Sequence, residues 1–202
     1  MKVGGRMKVE KMNKDRAEEM KKLISPGLLT HPHFMFYCPA KSRRADFIDD
    51  FLSYHLFNWT DKGQLYVSPN VKIIASLVGK KEFEYKFSGR NSFKLKMNKN
   101  ASRIFVQRKN VDHITRIIVP DKIDARVLTL YGKASGAEDD LRSLICEMEA
   151  IAKKEGFAIV YETFSRRLVA FMESMGFEVA YQKPFLGTQF YQTLMIYNIN
   201  SK

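Results

Sequence analysis

The chain lacks most of the features that mark membrane, secreted or metal-binding proteins. Its 202 residues contain no apolar run of about 18 residues, the length that a transmembrane helix needs. Its start has no apolar stretch that would act as a signal peptide. The two cysteines, Cys38 and Cys146, are far apart and fit no disulfide or metal spacing. We therefore expect a protein of a reducing, cytoplasmic compartment that makes no use of a membrane.

What the chain does contain is enough apolar material for one core and a large positive charge. Hydrophobic residues make up 45% of the sequence, which predicts a single domain over residues 1–202, with residues 1–13 flexible. The net charge of +12 is unevenly placed. Residues 80–109 contain ten Lys or Arg and two Glu, whereas residues 127–202 contain eight Lys or Arg and nine Asp or Glu. The basic excess lies outside the C-terminal part, where it would attract a polyanion.

The N-terminal half predicts two helices and then two strands. Apolar residues recur at helical spacing over residues 14–24, which are followed by Pro26, and again over residues 44–58. The segments GQLYVSPN and VKIIASLV predict strands at residues 63–70 and 71–78.

The basic segment at residues 80–109 predicts a hairpin inserted before the C-terminal part. Over residues 82–98, aromatic and apolar residues alternate with charged ones on both sides of the loop SGRNS. The six aromatic and apolar residues then share one face of the hairpin: Phe83, Tyr85, Phe87, Phe93, Leu95 and Met97. We further expect a short strand at residues 104–106 and a short helix at residues 111–118.

The C-terminal part alternates strands and helices. From Ala125 the order is strand (ARVLTLY), loop, long helix (AEDDLRSLICEMEAIAKKEG), strand (AIVYET), short helix (RRLVAFMESMG) and two strands (FEVA and FYQTLMIY). The long helix is amphipathic and ends naturally at Gly156. Its apolar stripe consists of Leu141, Leu144, Ile145, Met148, Ile151 and Ala152. This alternation predicts an α/β protein with a mixed central sheet.

The same order resembles that of the GNAT superfamily, the acyl-CoA-dependent N-acetyltransferases, over roughly residues 125–197. The pair Gly176-Phe177 matches the Gly-Phe pair that closes the short helix in that family. The resemblance implies a GNAT-like mixed sheet with added N-terminal helices. It also implies acetyl-CoA as the cofactor and a small or protein-borne amine as the acceptor of the acetyl group.

In the GNAT superfamily, a loop of the form Q/R-x-x-G-x-G/A holds the pyrophosphate of coenzyme A on backbone N–H groups at the start of the long helix. Two registers are possible here. One places Asp139 and Leu141 at the two glycine places, and the other places Lys133 at the Q/R place, Gly136 at the first glycine place and Glu138 at the second. We prefer the second register because it keeps Lys133 and Gly136. The resemblance then implies that Lys133, Gly136 and Ala137 bind the cofactor.

Two features of the family's site are replaced in this chain, so the cofactor site is degenerate. The long helix starts with Glu138, Asp139 and Asp140, which stabilise the helix dipole and would repel a pyrophosphate. The tyrosine that commonly protonates the departing thiolate is replaced by Met172, and the family's asparagine falls near Leu168. Both positions are more typical of core residues.

Main-chain chemistry would survive these losses. In the family, the strands corresponding to residues 125–131 and 158–162 splay apart and offer backbone N–H groups to a thioester carbonyl. The resemblance implies that this role falls to the main chain near Leu128 and Leu130.

An N-acetyltransferase also needs a group that removes a proton from the amine. Glu162 ends a strand and His55 lies on the second N-terminal helix, so both are candidates for the base. Tyr161, Tyr181 and Tyr191 are candidates to replace the missing tyrosine. The alternative is that Glu162 is solvated and that His55 and the three tyrosines pack against neighbours or lie at the rim.

Other patterns in the sequence give weaker evidence of a functional site. His31-Pro32-His33 has no third metal ligand in view, so a loop is expected there. Cys146 is expected to be an inert core thiol, and Cys38 has no base partner.

Two functions therefore remain open. The first is an N-acetyltransferase that moves an acetyl group from acetyl-CoA to an amine, with reduced or lost activity as a variant of it. The second is a non-catalytic relative that binds nucleic acid or an acidic protein through the basic segment, Lys94 and Lys96 included.

Overall fold

A six-stranded sheet organises the part of the chain that the structure describes. The computed structural model describes residues 14–61, 65–68, 72–79, 101–119, 123–132, 137–185 and 189–198. The strands are β1 (Leu65–Val67), β2 (Ile73–Gly79), β3 (Asp124–Gly132), β4 (Phe157–Thr163), β5 (Glu178–Pro184) and β6 (Tyr191–Tyr197). Their order in the sheet is β1-β2-β3-β4-β6-β5. The β3–β4 pair is parallel, and the other four pairs are antiparallel.

Four of the described helices cover one face of this sheet. They are α1 (Lys14–Leu28), α2 (Pro32–Tyr37), α3 (Lys41–Asp61) and α4 (Ala101–Ile118). Helices α1, α2 and α3 form one buried cluster with Ile74 and Val78 of β2. Helix α4 packs on the neighbouring strands β3, β4 and β6. The alternation of side chains along each strand therefore sends every second residue into this layer.

Two helices cover the opposite face. They are α5 (Glu138–Glu155) and α6 (Arg166–Ser174), whose buried residues cluster with the remaining inward-facing residues of β2, β3, β4 and β6. The stripe predicted from the sequence is the buried face of α5, with Leu144, Ile145 and Met148 fully buried. Helix α5 ends at Gly156, which has a φ of 78°, a conformation that a side chain disfavours. The result is a sheet between two helical layers.

Most elements predicted from the sequence are confirmed, with shifted ends. The first helix continues to Leu28, so Pro26 lies inside it rather than beyond it. The helix predicted at residues 44–58 is α3, and the two predicted strands are β1 and β2, which pair as neighbours. In the C-terminal part, every predicted strand and helix is present in its predicted order.

Three predictions were wrong. The loop expected at His31-Pro32-His33 is the start of α2, with His31 as the N-cap and Pro32 as the first helical residue. The strand predicted at residues 104–106 is part of α4, in which Ile104, Val111 and Ile114 are buried on one side. These residues are spaced by seven and three, which is helical, and a window of three residues is too short to reveal it. Cys146 is exposed rather than a core thiol, because it lies one residue beyond the apolar stripe of α5.

Some predictions fall outside the described residues. These are the flexible start at residues 1–13, the hairpin at residues 82–98 and the cofactor-loop residues Lys133 and Gly136. Among the helices that the structure does describe, none has the length and apolarity that crossing a membrane requires.

Candidate functional site

The parallel strands β3 and β4 diverge before they end. Their paired residues run from Asp124–Phe157 to Leu128–Tyr161 and stop there, although β3 continues to Gly132 and β4 to Thr163. On its other side β3 stays paired with β2 as far as Gly132. Main-chain groups of β3 beyond Leu128 are therefore not tied to β4. This divergence agrees with the splay that the sequence resemblance implies.

A cleft lies at this divergence, at the carboxyl ends of the two strands. About 540 Å³ of space lies between its walls, a volume that includes the open solvent at its mouth. Helix α2 and Phe51 of α3 form one wall, and the strands form the other. The lining residues are His31, His33, Phe34, Tyr37, Phe51, residues 127–131, Tyr161 and Glu162.

Glu162 supplies the carboxylate of this cleft. Strand β4 positions it on the face that α2 and α4 cover, two residues beyond Val160. Its Oε1 accepts a hydrogen bond of 2.6 Å from Nε2 of Gln192. Nε2 of His33 lies 3.2 Å from the same oxygen. The side chain of Glu162 is only 9% exposed, so these partners, rather than bulk water, stabilise it.

His33 is held by aromatic rings on two sides. Its ring stacks on Tyr37 at a centroid distance of 5.6 Å and meets the ring of Phe164 edge-on at 4.6 Å. Helix α2 supplies both His33 and Tyr37, and the turn after β4 supplies Phe164. The imidazole is therefore fixed against Glu162 by packing rather than by a hydrogen bond alone.

His31 has a different role at the start of α2. Its Nδ1 accepts a hydrogen bond of 3.3 Å from the backbone N–H of His33, so it is the N-cap of that helix. Burial, followed by the nearby His33, lowers its pKa from 6.5 to about 3, and Glu162 opposes this shift. His31 is thus neutral at physiological pH. Because Nδ1 is the acceptor, the proton is assigned to Nε2, which makes this nitrogen a donor at the cleft.

Tyr161 lies on the neighbouring position of β4 and also lines the cleft. Burial raises its pKa to about 12; a hydrogen bond with Thr163 opposes this effect and the charge of Glu162 adds to it. Its hydroxyl stays protonated at neutral pH. The cleft therefore combines an ionisable carboxylate with groups that keep their protons.

The acidic start of α5 is partly neutralised by cations from other elements. Glu138 forms an ion pair with Arg167 of α6. Oδ2 of the buried Asp140 lies 3.9 Å from Nζ of Lys72. Three carboxylates and two cations leave one net negative charge here instead of three. Ala137 precedes the helix and offers no side-chain cap to its N–H groups.

The structure brings some of the predicted site residues together. Glu162, Leu128 and Leu130 line the cleft, and Ala137 is buried at the start of α5. His55 is buried behind the cleft wall, where its ring packs on Phe51 at 4.0 Å. Tyr191 is 53% exposed at the start of β6, and the cleft lining does not include it. The catalytic roles of His55 and Tyr191 stay predictions without a place at this cleft.

Sequence reasoning missed the residues that surround Glu162. His31 and His33 were noted as a pair, but they lie about 130 residues from Glu162 along the chain, and no spacing links them. Among the described residues no group of three or more His, Cys, Asp or Glu could hold a metal ion. Gln192 gives no signal beyond being, with Thr193, one of two adjacent polar residues in a strand of mainly apolar and aromatic residues. That signal is usable, because a polar residue in a central strand has to find a partner.

Comparison with known proteins identifies the fold. No protein-family model matches the chain, and no curated protein matches it. Among solved structures, putative arylalkylamine N-acetyltransferase 7 from Aedes aegypti is similar over 94% of this chain and 86% of its own, with 12% identity and a TM-score of 0.63. A histone acetyltransferase HPA2 and related acetyltransferase from Corynebacterium glutamicum is similar over 94% of both chains, with 12% identity and a TM-score of 0.59.

A third similar structure is the C-terminal condensation domain of Ebony in complex with β-alanyl-dopamine. It covers 95% of this chain and 98% of its own, with 8% identity and a TM-score of 0.63. At these identities the similarity concerns the fold alone. The chain has the mixed α/β fold of the GNAT acetyltransferases.

The alternative function, binding of nucleic acid or an acidic protein through the basic segment, stays a prediction. Lys94 and Lys96, which the basic segment includes, lie outside the described residues. Within the basic segment, the described part contributes exposed Arg103 and Lys109 on α4.

Proposed function

We propose that this protein transfers an acyl group from a thioester donor, acetyl-CoA in the simplest case, to an amine bound in the cleft. The observation that carries the proposal is the position of Glu162. A nearly buried carboxylate lies at the point where β3 and β4 diverge, next to main-chain groups of β3 that are not tied to β4. Amide formation needs both a base for the amine and donors for the carbonyl oxygen.

The described residues fit the acyl end of acetyl-CoA well. The divergence leaves room beside β3, and Leu128 and Leu130 line it. At the other end, the first-turn N–H groups of α5 would hold the pyrophosphate, as helix N-termini do for anions. Arg167 and Lys72 would reduce the repulsion from Glu138 and Asp140. Acetyl-CoA, when bound, supplies the activated acyl group.

The chain's own residues would carry the remaining steps. Glu162 binds the protonated amine and accepts a proton from it, so that the nitrogen lone pair becomes available. His33 keeps the carboxylate in place and Gln192 orients it through a hydrogen bond. Main-chain N–H groups of β3 beyond Leu128 polarise the thioester carbonyl. The new amide bond forms as the carbon–sulfur bond breaks, and the thiolate takes up the second proton that the nitrogen gives up when it becomes an amide nitrogen.

An amine acceptor also fits the neighbours. They include N-acetyltransferases of arylalkylamines and of agmatine. The rings around the cleft and its single carboxylate among the lining residues suit an ammonium group, which aromatic faces and carboxylates both attract.

The test measures thiol release from acetyl-CoA by the full-length protein with a panel of arylalkyl, alkyl and polyamine acceptors. Glu162→Gln keeps the size of the side chain and removes the base, and Glu173→Gln on the exposed side of α6 is the matched control. We expect transfer that falls at least a hundredfold in Glu162→Gln and is unchanged in Glu173→Gln. Equal activity of Glu162→Gln and the wild type would contradict the proposal, as would the absence of transfer with every amine together with no binding of acetyl-CoA by calorimetry.

A further inference from the structure

A chain of polar side chains leads away from Glu162 through the interior. Gln192 donates to Glu162 Oε1 at 2.6 Å, and its own Oε1 accepts from Nδ2 of Asn110 at 3.2 Å. Oδ1 of Asn110 accepts from Nζ of Lys183 at 3.2 Å. Four elements contribute one residue each: β4, β6, α4 and β5. These contacts join a carboxylate in the cleft to an ammonium group on the edge strand of the sheet.

The register of the sheet explains why three of these residues meet. Glu162 is paired with Leu194, and Gln192 lies two residues before Leu194, hence on the same face. Lys183 is directly opposite Gln192 in the β5–β6 pair. Helix α4 packs on this face through Val111 and Ile114, which places the adjacent Asn110 against the row. The hydrogen-bond chain therefore follows from the register of the sheet and the packing of α4, and not from a loop conformation.

The groups at the two ends of this hydrogen-bond chain, Glu162 and Lys183, fix the direction of every hydrogen bond in it. An ionised carboxylate can only accept, so Gln192 has to present its NH₂ group to Glu162. Its carbonyl oxygen can only accept, so Asn110 has to present its NH₂ group in turn. The Asn110 oxygen then faces Lys183, whose ammonium group can only donate. All dipoles point the same way, and aligned hydrogen bonds in a low-dielectric interior strengthen one another.

Gln192, in the middle of the hydrogen-bond chain, is buried, so its hydrogen bonds cannot be replaced by water. Gln192 has no exposed surface, so its amide has no water as a substitute partner. A glutamine buried in a central strand costs stability unless both ends of the amide are paired. Here its NH₂ group is paired with Glu162 and its oxygen with Asn110, so both ends of the buried amide are satisfied in this orientation.

We propose that Gln192, Asn110 and Lys183 are positioning residues that hold the Glu162 carboxylate ionised and aimed into the cleft, so that it is ready to accept a proton from the amine. This inference rests on the proposed function for its use in catalysis, but the effect on the carboxylate is testable without it. Among the described residues, the other titratable groups that line the cleft with Glu162 are His31, His33 and Tyr37 of α2, Tyr131 of β3 and Tyr161 of its own strand.

The experiment follows the Glu162 carboxyl carbon by NMR during a pH titration of the full-length protein labelled at glutamate, with the signal assigned through Glu162→Gln. Gln192→Leu removes the direct donor, and Lys183→Gln removes the charge at the far end without touching the cleft. Lys154→Gln, an exposed lysine on α5, is the matched control for the loss of one positive charge.

We expect the titration midpoint of Glu162 to rise by about one pH unit in Gln192→Leu, as the loss of a hydrogen bond to a charged group predicts. It rises by a few tenths in Lys183→Gln and stays unchanged in Lys154→Gln. Equal shifts in Lys183→Gln and Lys154→Gln would overturn the proposal, since they would reflect net charge alone. A folded Gln192→Leu protein with an unmoved midpoint would overturn it as well, and if that variant does not fold, the comparison of Lys183 with Lys154 decides.

The two proposals fail separately. A shifted midpoint without acyl transfer to any amine supports the chain of hydrogen bonds and counts against the transferase. Acyl transfer with an unmoved Glu162 midpoint supports the transferase and overturns the positioning role of the hydrogen-bond chain. Where both hold, the acid limb of the pH profile of kcat/KM moves in Gln192→Leu by the same amount as the NMR midpoint.

Discussion

Nε2 of His33 lies 3.2 Å from Oε1 of Glu162, which joins a six-residue helix to the end of a central strand. The two residues are distant in the sequence, and neither alone marks a site. Together they place an imidazole and a carboxylate in one cleft, where the carboxylate is shielded from bulk water. This pair is the basis for the first prediction.

We predict that His33→Gln lowers acyl transfer about tenfold, less than the loss in Glu162→Gln. The glutamine can still donate to Glu162, but it lacks the ring that stacks on Tyr37 and meets Phe164. The carboxylate therefore keeps a partner and loses its fixed position. Steady-state kinetics with the best amine of the panel measure the effect.

The control for His33 is His113→Gln on the exposed side of α4, which is expected to leave kcat/KM unchanged. If His33→Gln were as inactive as Glu162→Gln, His33 would be the base itself, and the roles given to the two residues would have to be exchanged.

His31 makes a prediction about stability. Its folded-state pKa of about 3 lies below the ordinary value of 6.5, so the unfolded chain binds a proton that the folded protein does not. The free energy of unfolding therefore falls as the pH drops below 6.5, by up to about 2 kcal/mol between pH 7 and pH 5. Urea unfolding at the two pH values measures this loss.

In His31→Asn the same loss should be smaller by that amount, because asparagine also caps helices and does not titrate. His113→Asn on exposed α4 is the comparison and should keep the wild-type pH dependence. A His31→Asn protein that loses as much stability as the wild type between pH 7 and pH 5 would show that other groups cause the loss.

The fold was largely predictable because its signals are local. The stripe of α5, the left-handed glycines Gly156 and Gly176 and the alternating strands can each be read within a short window of sequence. Helix α4 shows the limit of this approach. Among its described residues, the buried apolar ones are Ile104, Val111 and Ile114, and the exposed Val106 obscures the helical period.

The site was less predictable because it depends on contacts between distant parts of the chain. Glu162 was found from its place at the end of a strand, whereas its partners are 129 and 30 residues away. Nothing in the sequence separates a histidine that packs in a core from one that meets a carboxylate. The ion pair of Glu138 with Arg167 likewise follows from the packing of α6 beside α5, which the spacing of charges does not reveal.

Met172 tests whether the family's missing tyrosine could simply be put back. The side chain is fully buried in the cluster between the sheet and the helices α5 and α6. We predict that Met172→Tyr lowers the free energy of unfolding by about 1–3 kcal/mol, because the ring does not fit a filled core and its hydroxyl needs a partner.

Met172→Leu conserves volume and polarity and is expected to cost less than about 1.5 kcal/mol. Urea unfolding of the two variants beside the wild type gives both values. A Met172→Tyr protein that is as stable as Met172→Leu would show that the position opens to a cavity and could have hosted the family's acid.

Glu138 tests the electrostatics of the proposed pyrophosphate site at the start of α5. Its carboxylate lies at the first turn of α5 and is paired with Arg167, so it weakens the attraction of this helix start for a pyrophosphate and occupies the nearest cation. In Glu138→Gln the local charge changes from one net negative to zero, and Arg167 becomes available to an anion. We predict that the affinity for acetyl-CoA and coenzyme A rises about threefold to tenfold.

Calorimetric titration measures this gain in affinity. If the gain disappears at high salt, it is electrostatic, because ions screen exposed charges. Glu178→Gln on the exposed edge strand β5 removes the same charge away from the helix start and should leave the affinity unchanged. If both variants bind more tightly by the same factor, the gain comes from the net charge of the protein. If Glu138→Gln alone binds no better than the wild type, the helix start is not where the pyrophosphate binds, and the donor has to be held through its acyl arm at the divergence of β3 and β4.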